Sequence, residues 1–411
     1  MPPSIVAGES GALALIHANI VVYAFAYWLT QPVLPFLLKE LSADTLLFSR
    51  FQTFCSFLQL LGGPLAGRIC DAFGFSVTLG ISQAAAALSY ALLAASSSVS
   101  MLFLSQLPTV FMHAMHAAQA ATAIFATSDM RATAMGRLSL SYGVGMVLGS
   151  YSGGLLSSTY SNQHSAIVAA VISTTVLPIN WFAFGTASTA SAKGGDAAFS
   201  SSKASSSIDL YKIVVVLRQP VVWHTMAVQL LLGLALSIHR STFSEVLRQN
   251  IALGASDIGL VMSVGGVVSI LANGVLLQLL LARWSERTVV FGASTVLAFS
   301  FGCFAHLIAG AKTELLVLTV PMGAASAIVY TVLSSQMSKG ASDADRATAI
   351  GLSHASRSAC GLLAPTAGAL LLQSYGLAPM EYACAAITGL AIMYSTFVRP
   401  QTTPTATKKT A

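Results

Sequence analysis

Arg131-Ala-Thr-Ala-Met-Gly136 recurs as Arg346-Ala-Thr-Ala-Ile-Gly351, 215 positions further along the chain. The same offset carries Gly153 to Gly368, Tyr160 to Tyr375 and Arg68 to Arg283, and it sets Glu286 against Asp71. One shift that links two polar joints and the apolar runs beside them marks an internal duplication. The chain therefore reads as two related halves.

The composition says where those halves reside. Of 411 residues only 8% are charged, 55% are apolar, and the mean hydropathy is +0.75. A soluble domain carries about 25% charged residues, so this chain cannot cover a water-facing surface. An ordinary cytosolic enzyme, a nucleic-acid binder and a disordered scaffold are excluded, and a polytopic membrane protein is expected. A helical span needs about 20 apolar residues, so twelve spans need about 240.

The apolar runs predict spans over 13–38, 48–68, 76–97, 100–125, 137–160, 164–186, 221–247, 257–283, 288–310, 314–337, 347–373 and 379–398. They are continuous and longer than the alternating strands of about ten residues that barrels use, so they are helices. The first run is too long for a signal peptide and reads as a retained span.

Charge placement sets the expected topology. With both termini in the cytoplasm, fourteen Lys and Arg fall inside, four (Lys39, Arg50, Arg248, Lys312) outside, and Arg240 and Arg357 within spans, which accounts for all 20. That bias is what the positive-inside rule expects. The net charge of +6 then reflects basic cytoplasmic loops. The expected organisation is a six-helix bundle over 1–187, a cytoplasmic Ser/Ala/Gly-rich linker over 188–220, a second bundle over 221–398 and a cytoplasmic tail over 399–411. Six spans plus six in a parallel repeat is an architecture of transporters, with the solute path between the halves. Cys55, Cys70, Cys303, Cys360 and Cys384 show no metal or disulfide spacing.

The joint after span two reads Gly63-Pro-Leu-Ala-Gly67-Arg68-Ile-Cys-Asp71-Ala-Phe-Gly74. Gly67, Asp71 and Gly74 match the Gly-x-x-x-Asp-x-x-Gly loop signature of the major facilitator superfamily, although Phe75 and Ser76 stand where its basic pair usually falls. Span five carries Gly136, Gly145, Gly149, Gly153 and Gly154. It resembles the superfamily's antiporter signature, with Ser150 in place of the usual Pro and Pro365 with Gly368 at the equivalent place in the second half. The pattern most resembles the organic-cation-transporter-like branch of solute carrier family 22. The resemblance implies a twelve-helix fold and polyspecific export of organic cations in exchange for protons. It also implies a cytoplasmic latch, in which Asp71 caps the start of span eleven and pairs with Arg131 or Arg68, with Arg346 at the equivalent joint. Asp71 as a plain solvated loop residue is the alternative. The span-five glycines read either as a tight contact that limits leak or as general small-residue packing.

An ionisable residue inside a span is a functional candidate. The expected spans hold His17, His113, His116, His224, His239, Arg240, His306, His354 and Arg357, and no acid at mid-span. Gln106, Thr109, His113, His116 and Gln119 recur at helical spacing in span four, which predicts one face. His113 and His116 lie ~18–22 Å deep and Arg357 ~15 Å deep at ~1.5 Å per residue. The histidines read as a cavity wall and proton relay or as neutral packing groups. Arg357 reads as a solute contact or as a group bonded to the protein, and Arg240 with Glu245 as an outer gate pair. Tyr23, Tyr27 and Gln31 on span one and Tyr330 on span ten would add an aromatic and polar wall. No metal, cofactor or ATP site is expected, and no enzyme activity. The expected partners are a small organic solute, protons and the lipid bilayer, with the protein a monomer in the plasma membrane or an endomembrane. An organic-anion carrier or uniporter, favoured by the positive interior, and a non-transporting receptor on the same fold stand as alternatives.

Overall fold

The structure is a computed structural model that describes residues 9–42, 44–125, 131–184, 210–341 and 345–398. Every regular element among them is helical, because in lipid each backbone N–H and C=O must find its partner within the segment. The chain crosses twelve times. Span one is Glu9–Thr30, continued after a break at Gln31-Pro32-Val33 by Leu34–Glu40. Spans two and three are the arms of Thr45–Ala94, which turns at Gly74. Gly74 has φ 83°, a left-handed conformation open to glycine and costly for any other residue. The last glycine of the loop motif is thus a requirement of the turn.

Span four runs through Val99–Gln106, a 3-10 turn at Leu107–Phe111, and Ala114–Phe125. Spans five and six are Arg131–Thr159 and Asn162–Phe184. A short helix, Leu210–Leu217, precedes span seven, Pro220–Gln249. Span eight is Ala255–Leu271 and Leu277–Leu281, joined by a π turn at Ala272–Leu276. Spans nine to twelve are Glu286–Phe304, Lys312–Gly340, Arg346–Tyr375 and Leu377–Phe397. The linker expected over 188–220 and the tail over 399–411 fall outside the described residues up to residue 209 and beyond Val398.

Among the described residues eight helical segments are long and apolar enough to cross a membrane, and one of these, 45–94, is two spans. The remaining three are spans four, five and eleven, which are broken or rich in Gly, Ser and His. The least lipid-like spans are thus the ones that carry His113, His116, His354 and Arg357. Phe299, Phe397 and Trp181 stand largely uncovered on the outside, as lipid-facing side chains do.

Each half has its own core. In the first, Ile16, Ile20, Leu29, Phe75 and Leu79 pack together. Asn19 bonds to Asn180 and accepts from Gln83 Nε2 at 3.2 Å, tying spans one, three and six. In the second, Leu232, Ile238, Leu297, Phe301 and Val329 pack together. Gln229 Nε2 reaches Ser353 Oγ and Ser356 Oγ at 2.9 and 3.0 Å, tying span seven to span eleven. Interhelical hydrogen bonds of this kind contribute about 0.6–2 kcal/mol in lipid.

Glycines set the closest approaches. A Cβ on Gly145, Gly149 or Gly153 would strike the backbone of span one at Val21, Phe25 or Leu29. In the second half a Cβ on Gly368 would press on span seven at the side chains of Thr242 and Ile238, 2.9 and 3.3 Å away. The duplication is therefore a duplication of packing as well as of sequence.

The halves meet over one part of their length. At the face that holds Asn250, Thr45 Oγ1 donates to Gln249 Oε1 at 3.0 Å. Deeper in, Thr53 and Thr366 hydroxyls lie 3.1 Å apart. Span five lies on span eight through Gly154 against Ala255, Ser150 against Gly259, and Ser263 Oγ donating to Val147 O at 2.7 Å. These contacts run from the Asn250 face toward the middle. At the Gly74 face, Arg68 and Asp71 stand exposed.

Candidate functional site: the path between the halves

His354 and Arg357 sit one turn apart on span eleven, and Tyr330 approaches from span ten. The Arg357 guanidinium carbon lies 4.3 Å from the centroid of the Tyr330 ring, and NH2 is 2.8 Å from His354 Nδ1. Arginine only donates, so Nδ1 accepts, and His354 is a neutral imidazole with its proton on Nε2. A charge-assisted hydrogen bond and a cation–π contact thus hold the cation without a carboxylate.

From the first half, His116 lies within electrostatic reach of His354 and is itself exposed toward the open space. Nearer the Asn250 face, Arg240 of span seven lies within electrostatic reach of Tyr27 on span one and Tyr142 on span five. Tyr142 also accepts from Trp28 Nε1 at 3.2 Å. The path therefore brings together Tyr27, His116 and Tyr142 with Arg240, Tyr330, His354 and Arg357. Among the described residues no carboxylate bonds to either arginine. Tyr142 escaped sequence reading because it sits in a Gly/Ser-rich run without a stripe of its own.

Other candidates fall elsewhere. The single face expected of span four is corrected, because the helix is interrupted. Pro108 has no N–H to give and forces the 3-10 turn. His113 reaches Gly62 of span two, where its Nε2 is buried without a partner, and its ring centroid lies 5.2 Å from that of His116. Thr109 bonds back to Gln106 O at 2.6 Å, and the Gln106 side chain to Ser105 at 3.0 Å. Gln119 is exposed three residues beyond His116. Tyr23 is buried within the first half and donates to Met112 O at 2.7 Å, holding the break in span four. It is a positioning residue for that break, not a wall of the path. Gln31 lies at the break in span one.

The expected outer pair is also corrected. Glu245 binds Arg248, at 2.5 and 3.0 Å, and not Arg240. The two residues line a polar cleft at the Asn250 face with Lys39, Asp44 and Gln249. At the opposite face Asp71 has no hydrogen bond or ion pair among the described residues, and a Cβ on Gly67 would meet nothing within 4 Å. The side chains of Arg131 and Arg346 lie outside the described residues. The start of span eleven is instead held by Gln219, whose Nε2 donates to Asp345 Oδ2 at 2.9 Å. Glu286, the counterpart of Asp71, pairs with Lys339 at 2.5 Å.

The sequence placed no acid deep in the protein, and here it missed a pair. Glu381 is 1% exposed, and its Oε1 lies 2.8 Å from His239 Nδ1. The two are 142 positions apart, in no motif, and the pair is enclosed by the second half. Among the described residues no group of His, Cys, Asp and Glu could hold a metal ion, and the cysteines are free thiols.

A duplicated six-helix unit, the Gly74 turn and a path between the halves define the class, and the family profile of the Major Facilitator Superfamily matches residues 16–272 and 225–411. The chain belongs to that superfamily, and it is a multi-pass membrane protein of the transporter type. It is 30% identical over 407 residues to human solute carrier family 67 member A1, covering 94% of this chain and 92% of that one. It is 31% identical over 374 residues to mouse solute carrier family 22 member 18, covering 90% and 91%. Among solved structures it resembles that of the human organic anion transporter MFSD10 (TETRAN), with a TM-score of 0.65, 16% identity, and 95% and 100% of the two chains covered. At that identity the likeness concerns the fold alone.

Proposed function

We propose that this protein is a secondary transporter that carries small organic solutes bearing an anionic group, by rocking of its two halves about the central path. The observation that carries the anionic preference is the pairing of Arg357 with a neutral histidine and a tyrosine face, and with no carboxylate among the described residues. A solute carboxylate or sulfonate would take the remaining guanidinium N–H donors, and Tyr27 and Tyr142 would receive its apolar body. Among the described residues the hydrogen bonds between the halves gather at the Asn250 face and toward the middle, while Arg68 and Asp71 at the Gly74 face are exposed. With basic loops directed inward, the Gly74 face and both termini are cytoplasmic, and this conformation opens to the cytoplasm.

An organic cation exchanged for protons is the second reading. The resemblance to solute carrier family 22 favours it, and the aromatic wall supports it. Against it, the Tyr330 face is already taken by Arg357. Competition in proteoliposomes between an aromatic carboxylate dye and an aromatic cation dye separates the two. Saturable flux of the carboxylate, lost in Arg357→Ala by a factor of about 10–100, is expected. A hydrogen bond to a charged group contributes about 1.5–3 kcal/mol, which is that factor. Saturable flux of the cation alone, indifferent to Arg357→Ala, would select the second reading.

A further inference from the structure

We propose that His239 and Glu381 form a buried one-proton site in the second half, outside the central path, which ties proton occupancy to the seating of span seven on span twelve. Three observations carry it. Glu381 is 1% exposed and His239 8%. The ring of His239 is hemmed by Phe243, Phe301 and Phe304, with centroids 5.3, 5.4 and 4.8 Å away. Glu381 Oε2 is buried with no hydrogen-bond partner.

These facts fix the charge state. With one proton the pair is neutral overall, and an apolar enclosure tolerates it. Without a proton a bare carboxylate would lie among phenylalanines. With two, an imidazolium would. The orphaned Oε2 places the shared proton on Glu381. If His239 Nδ1–H donated to a carboxylate, Oε2 would carry unsolvated negative charge. If Glu381 Oε1–H donates to Nδ1, Oε2 is a neutral carbonyl oxygen and its isolation costs less. His239 is the less buried of the two. A proton taken up at Nε2 allows the Nδ1 proton to pass to Oε1, and loss reverses the two transfers.

The surrounding groups do not compete for that proton. On span seven, Arg240 is exposed toward the path, and Glu245 is taken by Arg248. On span twelve, the Cys384 thiol lies one turn on, and Tyr382 bonds to His306, beyond span nine, at 2.7 Å. Span nine presents Phe301 and Phe304. Span eleven carries His354, Arg357, Cys360 and Tyr375, span ten carries Tyr330 and Lys339, and the segment after the break in span one carries Lys39 and Glu40. Among the described residues none of these side chains hydrogen-bonds to the paired side chains, and the Cys384 thiol meets only the backbone of His239. His239 and Arg240 are neighbours in the chain, one facing the buried acid and the other the path. A change in the proton site that shifts span seven against span twelve therefore moves a wall of the path.

The coupling, though not the proton site, rests on the transport reading, so the site is tested without solute. Infrared difference spectra of the full chain in phosphatidylcholine vesicles are recorded from about pH 4 to about pH 8, where carboxylates and histidines titrate. A carboxylic acid C=O band that is present across the range in the wild type and absent from Glu381→Gln is expected, because either neighbouring charge state would leave a charge among phenylalanines. In His239→Phe the acid has lost its hydrogen-bond partner, and the band should shift in frequency. Wild-type spectra that match those of Glu381→Gln at every pH, or a His239→Phe band at the wild-type frequency, would overturn the proposal. The second variant serves if Glu381→Gln does not fold. Dye flux is measured on the same vesicles. Flux that persists in Glu381→Gln but no longer responds to an imposed pH gradient supports the coupling, and an unchanged response overturns it. A protein with the proton band but no saturable flux of either dye contradicts the transport reading and leaves the proton site standing.

Discussion

Arg357 keeps its charge inside the membrane by stacking on Tyr330 and donating to a neutral histidine. Making both contacts at once suits the broad, planar guanidinium with its several N–H donors, which the point charge of lysine does not reproduce. Arg357→Lys should therefore keep the charge and still lose transport of an anionic dye about tenfold, the equivalent of about 1.4 kcal/mol, read as a rise in KM in proteoliposomes. An unchanged KM would show that only the point charge matters. Arg357, His354 and Tyr330 were each legible in the sequence, because an ionisable or aromatic residue stands out in an apolar run. Their meeting was not, since it depends on how spans ten and eleven cross. Glu381 was misjudged for a similar reason. It lies four residues into span twelve, where position alone suggests a wet helix end, and only the fold covers it with span seven.

At the scale of elements, small residues decide which helices can touch. Gly149 of span five lies against the Phe25 carbonyl of span one, so a methyl group there has no room. Gly149→Ala should lower stability by about 1–3 kcal/mol, the usual cost of overpacking, read by thermal unfolding in detergent. Gly136→Ala, with open space around its Cβ position, should be neutral or raise stability by about 0.5–1 kcal/mol, because alanine is the better helix former. Equal losses in both would mean that the glycines do not set the distance between spans one and five. The close packing of span five was legible in the sequence as a glycine period on one helix face, while its role, a leak-limiting contact or general small-residue packing, was left open. Span four was read badly. Its polar residues keep helical spacing on paper, but Pro108 breaks the register and Tyr23 holds the break from a neighbouring span. A period counted along the chain assumes an unbroken helix, and one proline in the run was the warning.

For the whole molecule, the duplication at an offset of 215 residues was enough to expect two equivalent bundles, and scarcity of charge placed them in lipid. Which face would be shut was not legible, because under the proposed rocking one sequence encodes both arrangements of the halves. In this structure the closed face is held by short polar and small-residue contacts and by no ion pair between the halves among the described residues. Such contacts can be broken and remade at each cycle. The Thr53 and Thr366 hydroxyls, 3.1 Å apart across the halves, give the direct test. In a background with the five native cysteines replaced, Thr53→Cys and Thr366→Cys are introduced together, oxidised, and assayed for saturable dye flux in proteoliposomes. If the halves must part at this face in each cycle, complete cross-linking abolishes flux and reduction restores it. Undiminished flux through fully cross-linked protein would contradict alternating access between these two halves.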